Sequence, residues 1–314
     1  MRYFIKILKI ISAFTILIIL GIVVLYGHRD IPINELKPKY TNAASSFISI
    51  DGMDVHFRDE GNQTDSIPIV LIHGTASSLH TFDAWTSSLK TTNRVIRMDL
   101  PAFGLTGPFP DRNYSITHYT TFLKDFLTAL NIKQCILVGN SLGGEIAWNF
   151  TLEQPDMVKK LILIDAVGYP INSTSVPIAF KLGQTPVINK LLTYITPRFM
   201  VRSSVENVYF DTSKVTDSLV ERYFELTLRA GNRQAFVDRI KTPTTTNYTE
   251  IKNITQPTLI LWGNQDLLIT KENAYKFQEN LPNNTLVILD NTGHTPMEES
   301  PIESLEPVIN FINK

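Results

Sequence analysis

The chain has 314 residues, 43% hydrophobic and 19% charged, with a formal net charge of −1. That leaves room for one large α/β domain or two small ones with a sizeable core. Nothing points to nucleic acid, and a lone cysteine, Cys135, rules out an intrachain disulfide framework. No Cys/His cluster has zinc spacing and no phosphate-binding glycine loop is present.

Arg2, Lys6 and Lys9 lead into an uncharged run, Ile10 to Tyr26. As a helix this run spans about 26 Å, near the lower limit for crossing a bilayer. Phe4 to Leu8 can lengthen it, with the lysines snorkelling. The basic flank predicts a cytoplasmic N-terminus and a chain that continues on the exterior or lumenal side, although Arg29 pulls the other way. A cleaved signal peptide is the alternative. The apolar run is long for one, and Leu25-Tyr26-Gly27-His28 lacks a small-residue cleavage site. The expected organisation is a transmembrane anchor over 1–27 and a linker over 28–45, the latter marked by Pro32, Asn34, Pro38 and Asn42.

Phe47–Ile50 and Met53–Arg58 read as a hairpin around Asp51-Gly52. Buried strands follow at Ile67–Ile72, Arg94–Met98, Cys135–Val138, Leu161–Asp165, Thr258–Trp262 and Thr285–Leu289. Helices are expected over Trp85–Leu89, Ile116–Leu130, Glu145–Phe150, Lys271–Glu279 and Glu303–Ile312. Buried strands alternating with helices mean a mostly parallel sheet covered on both faces. Ligands bind such sheets beyond the C-terminal strand ends, where His73, Asp99, Ser141, Asp165 and Asp266 fall. Between Gly168 and about Asn253 the alternation stops. Ile178, Leu182, Ile188, Leu191, Leu192 and Ile195 follow helical spacing, and Ser213 to Ala230 is a second helical piece. The expected division is a core over 46–168 and 254–314, with a helical cap inserted over 169–253.

Gly139-Asn140-Ser141-Leu142-Gly143 is a G-x-S-x-G motif between the strand ending at Val138 and the helix beginning near Glu145. That context turns a common pentapeptide into a nucleophile elbow, with Ser141 exposed above the strand end. A serine nucleophile needs a base and a group to orient it. After Ser141 the chain has one histidine, His294, in a loop following the last predicted strand. Asp266, directly after Thr258–Trp262, is the first choice of acid, and Asp165 is its rival. Cys135, in a buried strand, reads as core packing.

From about Ser46 to Lys314 the sequence resembles the cap-bearing α/β-hydrolase superfamily. The resemblance rests on His73-Gly74, Asp99-Leu100-Pro101-Ala102-Phe103-Gly104, Gly139 to Gly144, Gly263 with Asp266, and Gly293-His294 with Pro296. It implies an oxyanion hole made by the backbone N–H groups of Thr75 and Leu142, a loop-shaping His73 and a structural Asp99. Ala102 departs from the glycine many members carry. The Gly-Asn-Ser-Leu-Gly-Gly form resembles bacterial lipases and esterases and the hydrolases of meta-cleavage products, and the topology resembles membrane-anchored monoacylglycerol lipases. The implied chemistry is acyl transfer through Ser141 on a small-molecule or lipid ester, with no metal or organic cofactor required. Carbon–carbon bond hydrolysis is the alternative, with Arg198 and Arg202 as cations for a substrate carboxylate, and a non-catalytic binding protein is a third reading. Oligomeric state is not readable.

Overall fold

A computed structural model describes residues 2–243 and 247–314, apart from the side chains at positions 2, 15, 16, 18 and 19. Eight strands form one sheet: β1 (Ser45–Ile50), β2 (Met53–Gly61), β3 (Ile69–Ile72), β4 (Arg94–Met98), β5 (Cys135–Asn140), β6 (Val158–Ile164), β7 (Thr258–Gly263) and β8 (Asn284–Leu289). Their spatial order is β1-β2-β4-β3-β5-β6-β7-β8. The first two strands run antiparallel to their neighbours, and all pairs from β4 to β8 are parallel. This is the mostly parallel sheet expected of the α/β-hydrolase fold.

Period-2 side-chain alternation divides the core. Val70, Ile72, Leu137, Leu161, Leu163 and Ile260 face one layer, with Cys135 among them. Ile69, Leu71, Val138, Ile162, Ile164 and Leu259 face the other. In chain order the helices are α1 (Arg2–Tyr26), α2 (Ile33–Tyr40), α3 (Asp83–Leu89), α4 (Ile116–Ala129) and α5 (Leu142–Glu153). After β6 come α6 (Ile178–Gln184), α7 (Ile188–Leu191), α8 (Arg198–Glu206), α9 (Asp217–Leu228) and α10 (Asn232–Lys241). The chain closes with α11 (Glu272–Asn280), α12 (Pro296–Glu299) and α13 (Pro301–Ile312). Helices α4, α5 and α11 contribute to the first layer, and α3 and α13 to the second. Burial pushes the Cys135 thiol up to about 12, as expected of a packing residue.

Helix α1 is 25 residues long, about 37 Å. Phe4, Leu8, Phe14, Leu17, Leu20 and Leu25 are exposed along it. Among the described residues no helix is long and apolar enough to cross a membrane. The expected span, Ile10 to Tyr26, runs through positions 15, 16, 18 and 19, whose side chains lie outside the described residues.

The linker expected over 28–45 contains α2 and packs, with the last residues of α1, as an ordered strap. Gly27 pairs with Ile195, and Ile31 with Arg229. Tyr26 meets Phe199 edge-on. Asp30 binds the Arg233 guanidinium at 2.6 Å. Within α2, Leu36 is buried against Leu105 and Leu226. The Tyr40 carbonyl accepts from Arg58 at 3.0 Å. Pro32 precedes α2 and Asn42 follows it, but Asn34 and Pro38 lie inside the helix, and a single buried leucine is too weak a periodic signal to betray it.

Leu36→Ala should lower stability by about 2–5 kcal/mol, the range for a large-to-small change at a buried site. A fall in the thermal unfolding midpoint of the full chain checks it. An unchanged midpoint would mean the strap is not part of the cooperative unit.

Candidate active site

At the end of β5 the chain turns sharply into α5, and Ser141 sits on that turn with φ 55° and ψ −115°. An L-residue adopts this conformation only when its surroundings impose it. Glycines make the turn possible. A Cβ on Gly139 would lie 2.1 Å from the Gly143 carbonyl oxygen, and one on Gly143 would lie 2.2 Å from that of Ile72. Although Ser141 occupies the N-cap position of α5, its side chain makes no capping bond. A serine that capped the helix would have spent its hydroxyl on a backbone N–H.

His294 and Asp266 come together as the spacing predicts. His294 Nδ1 lies 2.7 Å from Asp266 Oδ2. The other Asp266 oxygen accepts from the N–H groups of Leu268 and Ile269, at 2.8 and 3.0 Å. Three donors on one buried carboxylate fix its position and leave it acceptor-only. Asp165, the rival acid, lies directly behind. It is fully buried, and its Oδ1 accepts from the Gly263 N–H at 2.9 Å.

The surrounding loops are held by polar groups that carry no chemistry of their own. His73 Nε2 accepts from the Leu100 N–H at 2.9 Å, and Nδ1 donates to the Gly74 carbonyl at 2.8 Å. Burial holds its pKa below the usual histidine value. Asp99 accepts from Leu79 N, Leu105 N and His56 Nδ1 at 2.8, 2.8 and 2.7 Å. A Cβ on Gly104 would meet its carboxylate at 2.1 Å, which explains that glycine. Ala102 has φ 89°, the conformation glycine adopts without strain. Both His73 and Asp99 thus shape loops, as the resemblance implied.

Three supporting residues escaped the sequence reading. Asn140 donates to the Ile164 and His294 carbonyls, clamping the elbow to the histidine loop. Glu299 accepts from Gly293, Phe210 and Asp211 N–H groups. Glu298 accepts from the Tyr209 and Tyr223 hydroxyls and pairs with Arg222. The backbone of α8–α9 joins in, with Val208 O accepting from His294 N at 2.8 Å. The available signal was the pair of acids four and five residues after His294, next to a proline that opens a helix.

Ser141 and His294 open into one cavity of about 410 Å³, together with Thr75 and Leu142. Its far wall comes from the helices between β6 and β7, chiefly Phe180, Leu192, Met200, Val205, Leu226 and Phe236. Arg198 and Arg202 do not line it. Arg198 pairs with Glu221, and Arg202 with Asp217, on the outer surface. The cations that do line it are Arg233 and Arg239. Arg233 is paired with Asp30 at 2.6 Å, and Arg239 with the fully buried Glu145 at 3.2 Å. The cavity is therefore apolar, and its fixed charges are already answered by the protein.

A family model for the alpha/beta hydrolase fold matches residues 67–301. A 2-hydroxy-6-oxo-2,4-heptadienoate hydrolase of Pseudomonas putida is 26% identical over 77% of this chain and 87% of its own length. A protein of Acinetobacter baumannii AYE, provisionally assigned as a lipase, superposes with a TM-score of 0.73 at 26% identity, over 91% of this chain and 97% of its own. A bacterial membrane phospholipase A shares the fold at a TM-score of 0.72 and 20% identity, over 99% of this chain and 98% of its own.

Asp99 supplies a pH test of the loop framework. Burial alone would raise its pKa, but the charge and hydrogen bond of His56, with the backbone donors, hold it well below the usual range. A depressed carboxyl stabilises the fold above its unfolded value, about pH 4, and loses that contribution as pH falls through the native value. Asp99→Asn should cost about 3–5 kcal/mol at neutral pH. Urea midpoints should show the gap to wild type narrowing as the pH is taken below about 4. A gap independent of pH would show that the charge is not what matters.

Proposed function

The chain belongs to the alpha/beta hydrolase fold family, and on that premise we propose that this hydrolase is a serine esterase or lipase. The observation that carries the reading is the apolar cavity over Ser141, whose two arginines are neutralised from within. A neutral acyl chain suits such a cavity. A substrate that brings its own carboxylate would find no unpaired guanidinium partner there.

Ser141 attacks the ester carbonyl while His294 takes its proton. Asp266 orients the imidazole through Nδ1 and stabilises the positive charge that develops on it. The N–H groups of Leu142 and Thr75 stabilise the tetrahedral oxyanion. Leu142 is the first residue of α5, so its N–H has no partner within the helix. His294 then protonates the leaving alcohol, and water repeats the sequence on the acyl-enzyme. A second reading, carbon–carbon bond hydrolysis, is favoured by the likeness to the P. putida dienoate hydrolase.

We also propose that α1 anchors the enzyme in a membrane, N-terminus cytoplasmic and catalytic domain on the exterior. Support comes from the apolar side chains exposed along it. The direct bonding of Tyr26, Gly27 and His28 to the cap argues against the alternative of secretion after cleavage. In that placement the cavity draws on lipid esters of the monoacyl type.

Full-length protein in detergent, offered p-nitrophenyl esters of increasing chain length and a ring-cleavage dienone, should turn over the esters. Ser141→Ala and His294→Ala should each lower that turnover by about 10³-fold or more with the fold intact. Turnover of the dienone alone would transfer the function to the second reading. Deleting residues 2–26 should release the protein from the membrane fraction and spare hydrolysis of soluble esters. A truncated protein still sedimenting with membranes would remove the anchor.

A further inference from the structure

Two carboxylates, not one, stand behind His294. A carboxylate oxygen of Asp165, one of Asp266 and a ring nitrogen of His294 all lie within 4.8 Å of one another, and all three residues are buried. Asp165 reaches this position because its backbone adopts φ 43° at the end of β6, which aims the side chain across β7. The donors divide unequally. Asp266 receives Leu268 N, Ile269 N and His294 Nδ1. Asp165 receives one, Gly263 N, and its Oδ2 is buried with no donor facing it. An ionised Asp165 would place a second negative charge beside the Asp266 carboxylate, with Glu299 adding to the repulsion. A protonated Asp165 turns the orphan oxygen into a donor, and the acceptor within reach is Asp266.

We propose that Asp165 is a positioning residue of this site, held as the neutral acid and donating its proton in a hydrogen bond to the Asp266 carboxylate. No bond to carbon is made or broken, and the proton stays on Asp165 throughout turnover. The bond locks Asp266 on the side away from His294. It also disperses the carboxylate charge, so that Asp266 orients the imidazole without taking its proton. Burial first, and the Asp266 charge second, push the Asp165 carboxyl well above its ordinary value, against the pull of the Gly263 N–H. The charged or titratable groups facing it are Asp266, His294 and Glu299.

The inference rests on the Ser141–His294–Asp266 reading for its catalytic meaning. Its first test needs no turnover. Infrared difference spectra at neutral pH should show a protonated carboxylic acid band in wild type that shifts in deuterium oxide and is missing in Asp165→Asn. In kinetics, Asp165→Asn retains a donor of the same shape. It should keep kcat near wild type and leave the acidic limb of kcat/KM where it was. Asp165→Ala removes the donor and should lower kcat about 10- to 100-fold, with KM little changed and the acidic limb moved up. If Asp165 were ionised, Asp165→Asn would delete a charge beside His294 and move the acidic limb down by about one pH unit or more. That shift, the absence of the band, or an Asn variant as damaged as the Ala variant would overturn the proposal. Should Asp165→Ala fail to fold, the band and the Asn variant still decide it. A band present in a protein without hydrolase activity would uphold the proton and sink the hydrolase reading.

Discussion

The backbone at Ser141 is the constraint on which the site depends. A non-glycine residue at φ 55°, ψ −115° carries strain of about 1–3 kcal/mol, and the strain persists only because neighbours over-determine it. Those neighbours are specific. The Ser141 N–H donates to the Ile164 carbonyl on β6, and its own carbonyl accepts from Glu145 and Val167. Gly139 and Gly143 let β5, β3 and the start of α5 approach within distances that no Cβ tolerates. The turn therefore leaves the serine hydroxyl free of a capping bond, starts α5 beside it, and sets Asn140 against the histidine loop.

The same economy extends to His294. His294 is not carried by the sheet alone. Its N–H is bonded to Val208, and Gly293 is bonded to Glu299, which also holds Phe210 and Asp211. A Cβ on Gly293 would lie 2.6 Å from the Val208 carbonyl oxygen, so the glycine permits this contact. The polypeptide between α8 and α9 is thus both roof and support. Any displacement of that segment also strains the hydrogen bonds that hold the His294 loop.

Much of this was legible because it is local. Apolar run, glycine, serine, glycine and helix follow one another within about ten residues. Asp266 and His294 were readable because each lies in the loop that follows a strand, Asp266 after β7 and His294 after β8. What stayed hidden depends on long-range pairing. Leu36 finds Leu226 across nearly two hundred positions, and nothing near either residue announces it. Arg198 and Arg202 looked available as cavity cations because sequence does not say which helix face points inward; both face carboxylates on the surface. Asp165 was weighed as a rival to Asp266, since strand ends identify candidates but not distances. The structure sets the two side by side, and the contest between them becomes a question of which one holds the proton.

Arg233 ties these threads together. Its guanidinium lines the cavity over Ser141, yet its partner, Asp30, comes from the strap that follows α1. A second bond runs from Arg233 to the His28 carbonyl at 2.8 Å. The strap is therefore more than a tether between helix and core. It supplies the negative charge that makes this wall of the cavity neutral. An unpaired guanidinium in that wall would favour anionic ligands and repel none of the waters that an acyl chain must displace. The other cavity arginine, Arg239, meets the same need from inside the core, through Glu145 on the nucleophile's own helix. Two elements far apart in sequence thus perform one electrostatic task, and the N-terminal segment belongs to the chemistry of the cavity as well as to its placement.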